Sequence, residues 1–152
     1  MYNRLENCRW ALLLASAMVA GCGGRDPDLP PLVPVDGTVR LDGQPLSHAT
    51  VTFYPVGQTR GVGGAAYTDE NGRYEAESGS EKGLPAGQYR VFVSKLVMPD
   101  GSPYSAKEGV PPMESDAREA VPLRYTDMDQ SPLEATVPRA GGTIDFELTG
   151  RP

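Results

Sequence analysis

The chain has 152 residues, enough for one domain with a short appendage, and sets 14 basic against 20 acidic side chains for a net charge of −6. That surplus of carboxylates argues against nucleic acid as a partner and against general adhesion to anionic lipid, since both would repel it. Both cysteines, Cys8 and Cys22, fall at the start of the chain. The remainder therefore has no thiol for a disulfide, a zinc site or cysteine catalysis.

Arg4 and Arg9 precede an apolar run from Trp10 to Ala20, which ends in Val19-Ala20-Gly21-Cys22. A charged start, an apolar core of signal-peptide length and small residues before a cut site predict export, and the run is too short to span a bilayer. The Val-Ala-Gly-Cys box resembles the lipidation site of bacterial lipoproteins. That resemblance implies that residues 1–21 are removed, that the Cys22 thiol takes a diacylglycerol, and that the new amino terminus is acylated. Several acyl chains anchor durably where one is marginal, each buried methylene contributing about 0.8 kcal/mol. Loss of Arg4, Arg9 and Glu6 with the leader takes the net charge to −7. Gly23, rather than aspartate, follows the cysteine. The expected location is thus the outer membrane, on its periplasmic or surface face.

Residues 22–34 combine Gly and charge with prolines at 27, 30, 31 and 34 and have no apolar period, which predicts a tether. At about 3.1 Å per residue it would hold a domain about 35 Å from the membrane. From Val35 the pattern has period two, as half-buried antiparallel strands require. Val35, Val39 and Leu41 alternate with polar neighbours, then Val51 and Phe53, Tyr74 and Ala76, and Tyr89, Val91 and Val93. Leu133, Ala135 and Val137, then Ile144, Phe146 and Leu148, close the series, and a weaker segment over residues 64–68 makes seven strands. Asp42-Gly43, Asn71-Gly72 and Gly141-Gly142 supply turns. Without an amphipathic helix, the expected fold is an all-β sandwich over residues 35–150. Gly61, Gly63 and Gly64 lack the strand and helix that would frame a phosphate cradle, so they read as backbone punctuation.

The runs VDGTVRLDGQPLSHATVTF, TDENGRYE and LPAGQYRVFVS, with SPLEATVPRAGGTIDFEL near the end, resemble carboxypeptidase regulatory-like domains. These are seven-stranded antiparallel sandwiches of the transthyretin-like or prealbumin-like type. The resemblance covers Val35 to Ser94 and the last two strands. It implies an accessory domain without peptidase chemistry. The residues themselves offer little catalysis: His48 is the one histidine, and Ser47 beside it on a strand would point to the opposite face. The transthyretin-like hydrolases use more histidines and a carboxy-terminal motif absent here. An adhesin-type cross-link is disfavoured as well, because Arg40 stands in the first strand and no asparagine in the last. Asp69-Glu70-Asn71-Gly72 and Asp127-Met128-Asp129 are short of the six to eight oxygens calcium needs and read as a turn and a solvated loop. No cofactor or metal is expected.

Residues 98–132, rich in Pro, Gly, Ser and charge, form a connection long enough to be either an insertion or a recognition loop. Within it Tyr104 and Tyr125 are the candidate partner contacts, since a tyrosine joins a flat apolar ring to a hydroxyl. The functional expectation is a noncatalytic, membrane-anchored envelope lipoprotein whose sandwich is a structural or protein-interaction module. The alternative is a module binding cell-wall or extracellular polysaccharide.

Overall fold

A computed structural model describes residues 28–104 and 111–151; Cys22 and the leader lie outside them. Seven strands carry the architecture: β1 (Val35–Leu41), β2 (Thr50–Val56), β3 (Gly64–Tyr67), β4 (Arg73–Glu75), β5 (Gly87–Ser94), β6 (Leu133–Val137) and β7 (Phe146–Leu148). One sheet runs β6-β5-β2-β3 and continues into the two-residue strands Glu77–Ser78 and Glu81–Lys82. The other is built on β1, which pairs antiparallel with β4 and parallel with β7. The chain is thus all-β, but the expected wholly antiparallel sandwich is corrected, because β7 runs parallel to β1. Asp42 (φ 50°) and Gly43 (φ 78°) supply the two positive angles of the tight turn after β1.

The two sheets share one core. Val35, Val39, Tyr74, Phe146 and Leu148 from the β1 sheet are buried against Val51, Phe53, Tyr89, Val91, Val93, Ala135 and Val137. Phe53 stands between the sheets, its ring centroid 5.9 Å from Tyr74, 6.1 Å from Phe146 and 6.1 Å from Tyr89. Period-two alternation therefore placed these side chains on the inner face, where burial of a large apolar side chain contributes about 1.5–3 kcal/mol. Phe92 departs from the pattern: it lies between Val91 and Val93 yet is only 9% exposed.

One register joins the first and last strands. Gly142 lies opposite Val35, Thr143 opposite Asp36, and Phe146 to Leu148 opposite Val39 to Leu41. Between these stretches the Asp145 carboxylate accepts from Thr38 N at 2.7 Å, and Tyr74 Oη donates to Ile144 O at 2.6 Å. This close passage requires glycine at position 37, where a Cβ would lie 1.8 Å from Ile144 O. Burial, followed by the charges of Asp145 and Asp36, pushes the Tyr74 hydroxyl far above its ordinary pKa and keeps it a neutral donor.

Two further sequence expectations are corrected. The tether does not run free to Pro34: Leu32–Val33 pairs antiparallel with Leu84–Pro85, and Arg60 Nη2 donates to Asp28 O at 3.3 Å. Leu32 and Val33 are the apolar pair in an otherwise polar and proline-rich stretch, so they half-bury on the domain. Nor can the 98–132 segment be removed from the sandwich without loss, because Val121, Tyr125 and Ser131 are buried. β6 pairs β5 only as far as Val91, and residues 118–131 fill the gap beyond. Ser131 Oγ donates to Val91 O at 2.5 Å, while the Glu119 carboxylate accepts from Ser94 Oγ (2.6 Å) and Lys95 N (2.7 Å).

Candidate functional site

On β2 the residues that face away from the core are Thr50, Thr52 and Tyr54. Register sets Thr50 opposite Tyr67 and Thr52 opposite Ala65 on β3. The outer face thus becomes a shallow groove of about 590 Å³ with small residues along its floor and an exposed tyrosine toward each end. Tyr54 is 49% and Tyr67 57% exposed, and Val62 beside them is 82% exposed. Four residue positions of strand separate the two tyrosine rows, about 14 Å at 3.4 Å per residue.

Glycines keep the groove open. At Gly63 (φ 76°) a Cβ would meet Phe53 O at 2.2 Å, so the chain can cross beside β2 only without a side chain there. His48 sits at the Tyr67 end in a left-handed conformation (φ 54°), its ring centroid 6.0 Å from the Tyr67 ring. The loop that carries it is fixed from below by Thr68. That side chain is fully buried, donates from Oγ1 to Leu46 O at 2.7 Å and accepts from Ala49 N at 2.8 Å.

A second recess, of about 580 Å³, lies between Asp36, Thr38, Asp69, Arg73, Glu75 and Thr143. Its carboxylates are committed to the fold. Asp36 accepts from Thr143 Oγ1 at 2.7 Å, and Asp69 Oδ1 accepts from Asn71 N (2.8 Å) and Arg73 N (2.9 Å). In the other acidic loop, Asp127 Oδ1 accepts from Asp129 N at 2.7 Å. Among the described residues no three His, Cys, Asp or Glu side chains gather where they could hold a metal ion.

Of the two tyrosines expected to meet a partner, Tyr125 is buried and Tyr104 is half-buried. Tyr125 is only 5% exposed and belongs to the core. Burial would raise its hydroxyl pKa, but hydrogen bonds with Thr149 and the Arg124 guanidinium outweigh that and lower it. Its ring is closed to a partner because residues 118–131 plug the end of the sandwich. Tyr104 is half-buried, with its backbone N–H on Leu96 O at 3.0 Å. Cys22 lies outside the described residues. Tyr54 and Tyr67 are what the sequence reading missed. Tyr54 stood on the outward side of a recognised strand, and the signal lay in its pairing across the weak β3 segment. Comparison with protein-family models, curated proteins and solved structures returns no match.

Proposed function

We propose that the chain is an exported, noncatalytic envelope lipoprotein, acylated at Cys22, whose β domain is a binding module presented from the membrane. The Val-Ala-Gly-Cys box after the apolar run carries the anchoring half of this reading. Seven principal strands around a core, with the first and last side by side, accord with a carboxypeptidase regulatory-like domain of prealbumin-like topology. His48, the one histidine, has the Tyr67 ring as its neighbour, which suits a packed surface side chain better than the general base of a triad.

For the binding half, the Tyr54–Tyr67 groove favours the polysaccharide alternative over an unspecified protein partner. Two exposed tyrosines on a rigid sheet offer flat apolar faces to sugar rings and hydroxyls at their edges, and Thr50, Thr52 and Glu77 add polar groups to the same surface. Their separation suits an extended chain rather than a single small ring. Mass spectrometry of membrane fractions tests the anchor: a peptide beginning at Cys22 with a diacylglycerol on its thiol and an acyl chain on its amino terminus is expected, and a free thiol there refutes it. A glycan array with wild-type, Tyr54→Ala and Tyr67→Ala protein tests the groove. Each substitution should weaken polysaccharide binding about 2- to 12-fold, from about 0.5–1.5 kcal/mol per aromatic contact. Polysaccharide binding that survives both substitutions refutes the groove, and crosslinking in intact envelopes that captures a protein through this face instead restores the protein-interaction reading.

A further inference from the structure

We propose that the polysaccharide taken by this domain carries free amino groups, as a chain of de-N-acetylated hexosamine units does, and that it runs from the Tyr54–Tyr67 groove across Tyr67 into the recess beside Arg73. This rests on the polysaccharide reading of the groove and names its ligand class.

The two recesses form one surface. Tyr67 lines both, so its exposed ring stands between them. Register sets acidic side chains on either side of that ring. Ala65 pairs with Glu77, which puts Glu77 on the outer face and diagonal to Tyr67, at the roughly 7–8 Å spacing that long and aromatic side chains bridge. On the far side of Tyr67, β1 and β4 pair Asp36 with Glu75, and both line the second recess with Asp69. A sugar stacked on Tyr67 thus has carboxylates before and behind it.

Three of these carboxylates are held in place without being saturated. Oδ1 of Asp36 accepts from Thr143 Oγ1, Oδ1 of Asp69 from the backbone of Asn71 and Arg73, and Oε2 of Glu75 from Lys82 Nζ at 2.7 Å. The second oxygen of each has no donor among the described residues. A carboxylate offers about four acceptor sites and an ammonium group three donors, so the fold orients these groups and leaves them able to accept from a ligand.

Charge decides between classes of polymer. Among the residues lining the two recesses Arg73 is the sole base. Around them stand Lys82, already bonded to Glu75; Arg90, with Glu134 opposite it on β6; and His48, charged only in acid. Asp145, bonded to Thr38, and Glu81, paired with Ser78, add to the other sign. Carboxylates outnumber bases here even with His48 protonated, so a uronate or phosphate polymer is repelled and an amine-bearing one attracted. Stacking on tyrosine accepts any sugar of suitable shape; the carboxylates supply the discrimination. An exposed ion pair contributes up to about fivefold in affinity, and a polymer repeats the contact.

The test uses the full-length acylated protein in phosphatidylcholine nanodiscs, with a β-1,4-linked glucosamine hexamer and its fully N-acetylated counterpart as probes. The two share a backbone and differ in charge. In mildly acidic buffer, where the sugar amines are protonated and the carboxylates ionised, the amine form should bind at least about threefold tighter at low salt. That margin should vanish at about 1 M salt, where the Debye length is about 3 Å. Glu75→Gln with Glu77→Gln, both at exposed positions, should erase most of the margin and leave binding of the acetylated hexamer unchanged. Arg73→Gln should widen it, and Tyr67→Ala should weaken both probes. Equal affinities, a preference for the acetylated hexamer, or a margin that survives the two glutamine substitutions overturns the amine assignment. So does polygalacturonate binding as tightly as the glucosamine hexamer. A lysine hexapeptide that matches the glucosamine hexamer and ignores Tyr67→Ala shows attraction to charge alone and overturns the sugar. If a neutral glycan still binds and Tyr54→Ala weakens it, these failures refute this inference and leave the groove; loss of every glycan refutes both.

Discussion

Thr68→Val removes a hydroxyl and almost nothing else. Thr68 is fully buried; its Oγ1 satisfies the carbonyl of Leu46 at 2.7 Å and the N–H of Ala49 at 2.8 Å. Valine fills the same space, so no cavity opens, but both backbone groups lose this partner. Each unsatisfied buried group costs about 1–3 kcal/mol. The added methyl recovers about 0.8 kcal/mol. The net expectation is a loss of about 1–5 kcal/mol, a large part of the roughly 5–15 kcal/mol that holds a domain together. Thr68→Ser is the control: it keeps both hydrogen bonds, gives up one methyl and should cost about 1 kcal/mol. Urea unfolding of the three proteins reads the difference as a fall in midpoint at constant slope. The reasoning fails if Thr68→Val lies within 0.5 kcal/mol of wild type or if Thr68→Ser is the more damaging. Because the same hydroxyl fixes the loop that bears His48, Thr68→Val should also increase hydrogen exchange across residues 46–49, beside the Tyr67 end of the groove.

Gly37→Ala forces a Cβ to within 1.8 Å of Ile144 O and 2.6 Å of its carbonyl carbon; separating β1 from the last strand should cost about 3 kcal/mol in thermal unfolding, and near-normal stability would contradict the close passage. Stability should also fall in alkali. Burial raises Tyr74 far above, and Tyr89 up to about 12 from, the ordinary value of 10. The native state therefore keeps protons that the unfolded chain releases above pH 10. The contribution of these two tyrosines should be level below pH 10 and decline above it, toward a limiting slope of about 1.4 kcal/mol per pH unit for each; a midpoint that does not fall between pH 10 and 11.5 would refute this. Glu119→Ala, which removes acceptors for Ser94 Oγ, Lys95 N and Val121 N, should cost about 1–3 kcal/mol in the same assay, whereas an inert insertion would tolerate it.

Sequence periodicity was sufficient where one face of a strand meets the core and the other meets water. Val51 and Phe53, or Phe146 and Leu148, announce themselves because their polar neighbours alternate with them. It was insufficient where contacts depend on distant residues. Ser131 meets Val91 across 40 positions and Glu119 meets Ser94 across 25, so the 98–132 stretch read as a loop although Val121 and Tyr125 belong to the core. Leu32 and Val33 were lost among prolines for a similar reason, since a two-residue strand has no period to detect. Phe92, written as outward by alternation, is buried all the same. The groove was half legible: Tyr54 stood on the outward side of a recognised strand, but its relation to Tyr67 depends on the β2–β3 register, which no local pattern specifies.

The parallel pairing of the first and last strands also governs how the domain bears load. A pull that enters at Val35 and leaves at Leu148 draws these neighbours past one another along their length, because Val35 and Gly142 lie at one end of the pair and Leu41 and Leu148 at the other. Every rung between them is then stressed at once, whereas a hairpin pulled from its open end parts one rung at a time. The Asp145 clasp on Thr38 and the Tyr74 pin on Ile144 lie in the middle of that seam. A domain tethered at one end and tugged at the other would therefore meet force with a pair of strands braced by side chains as well as by backbone rungs.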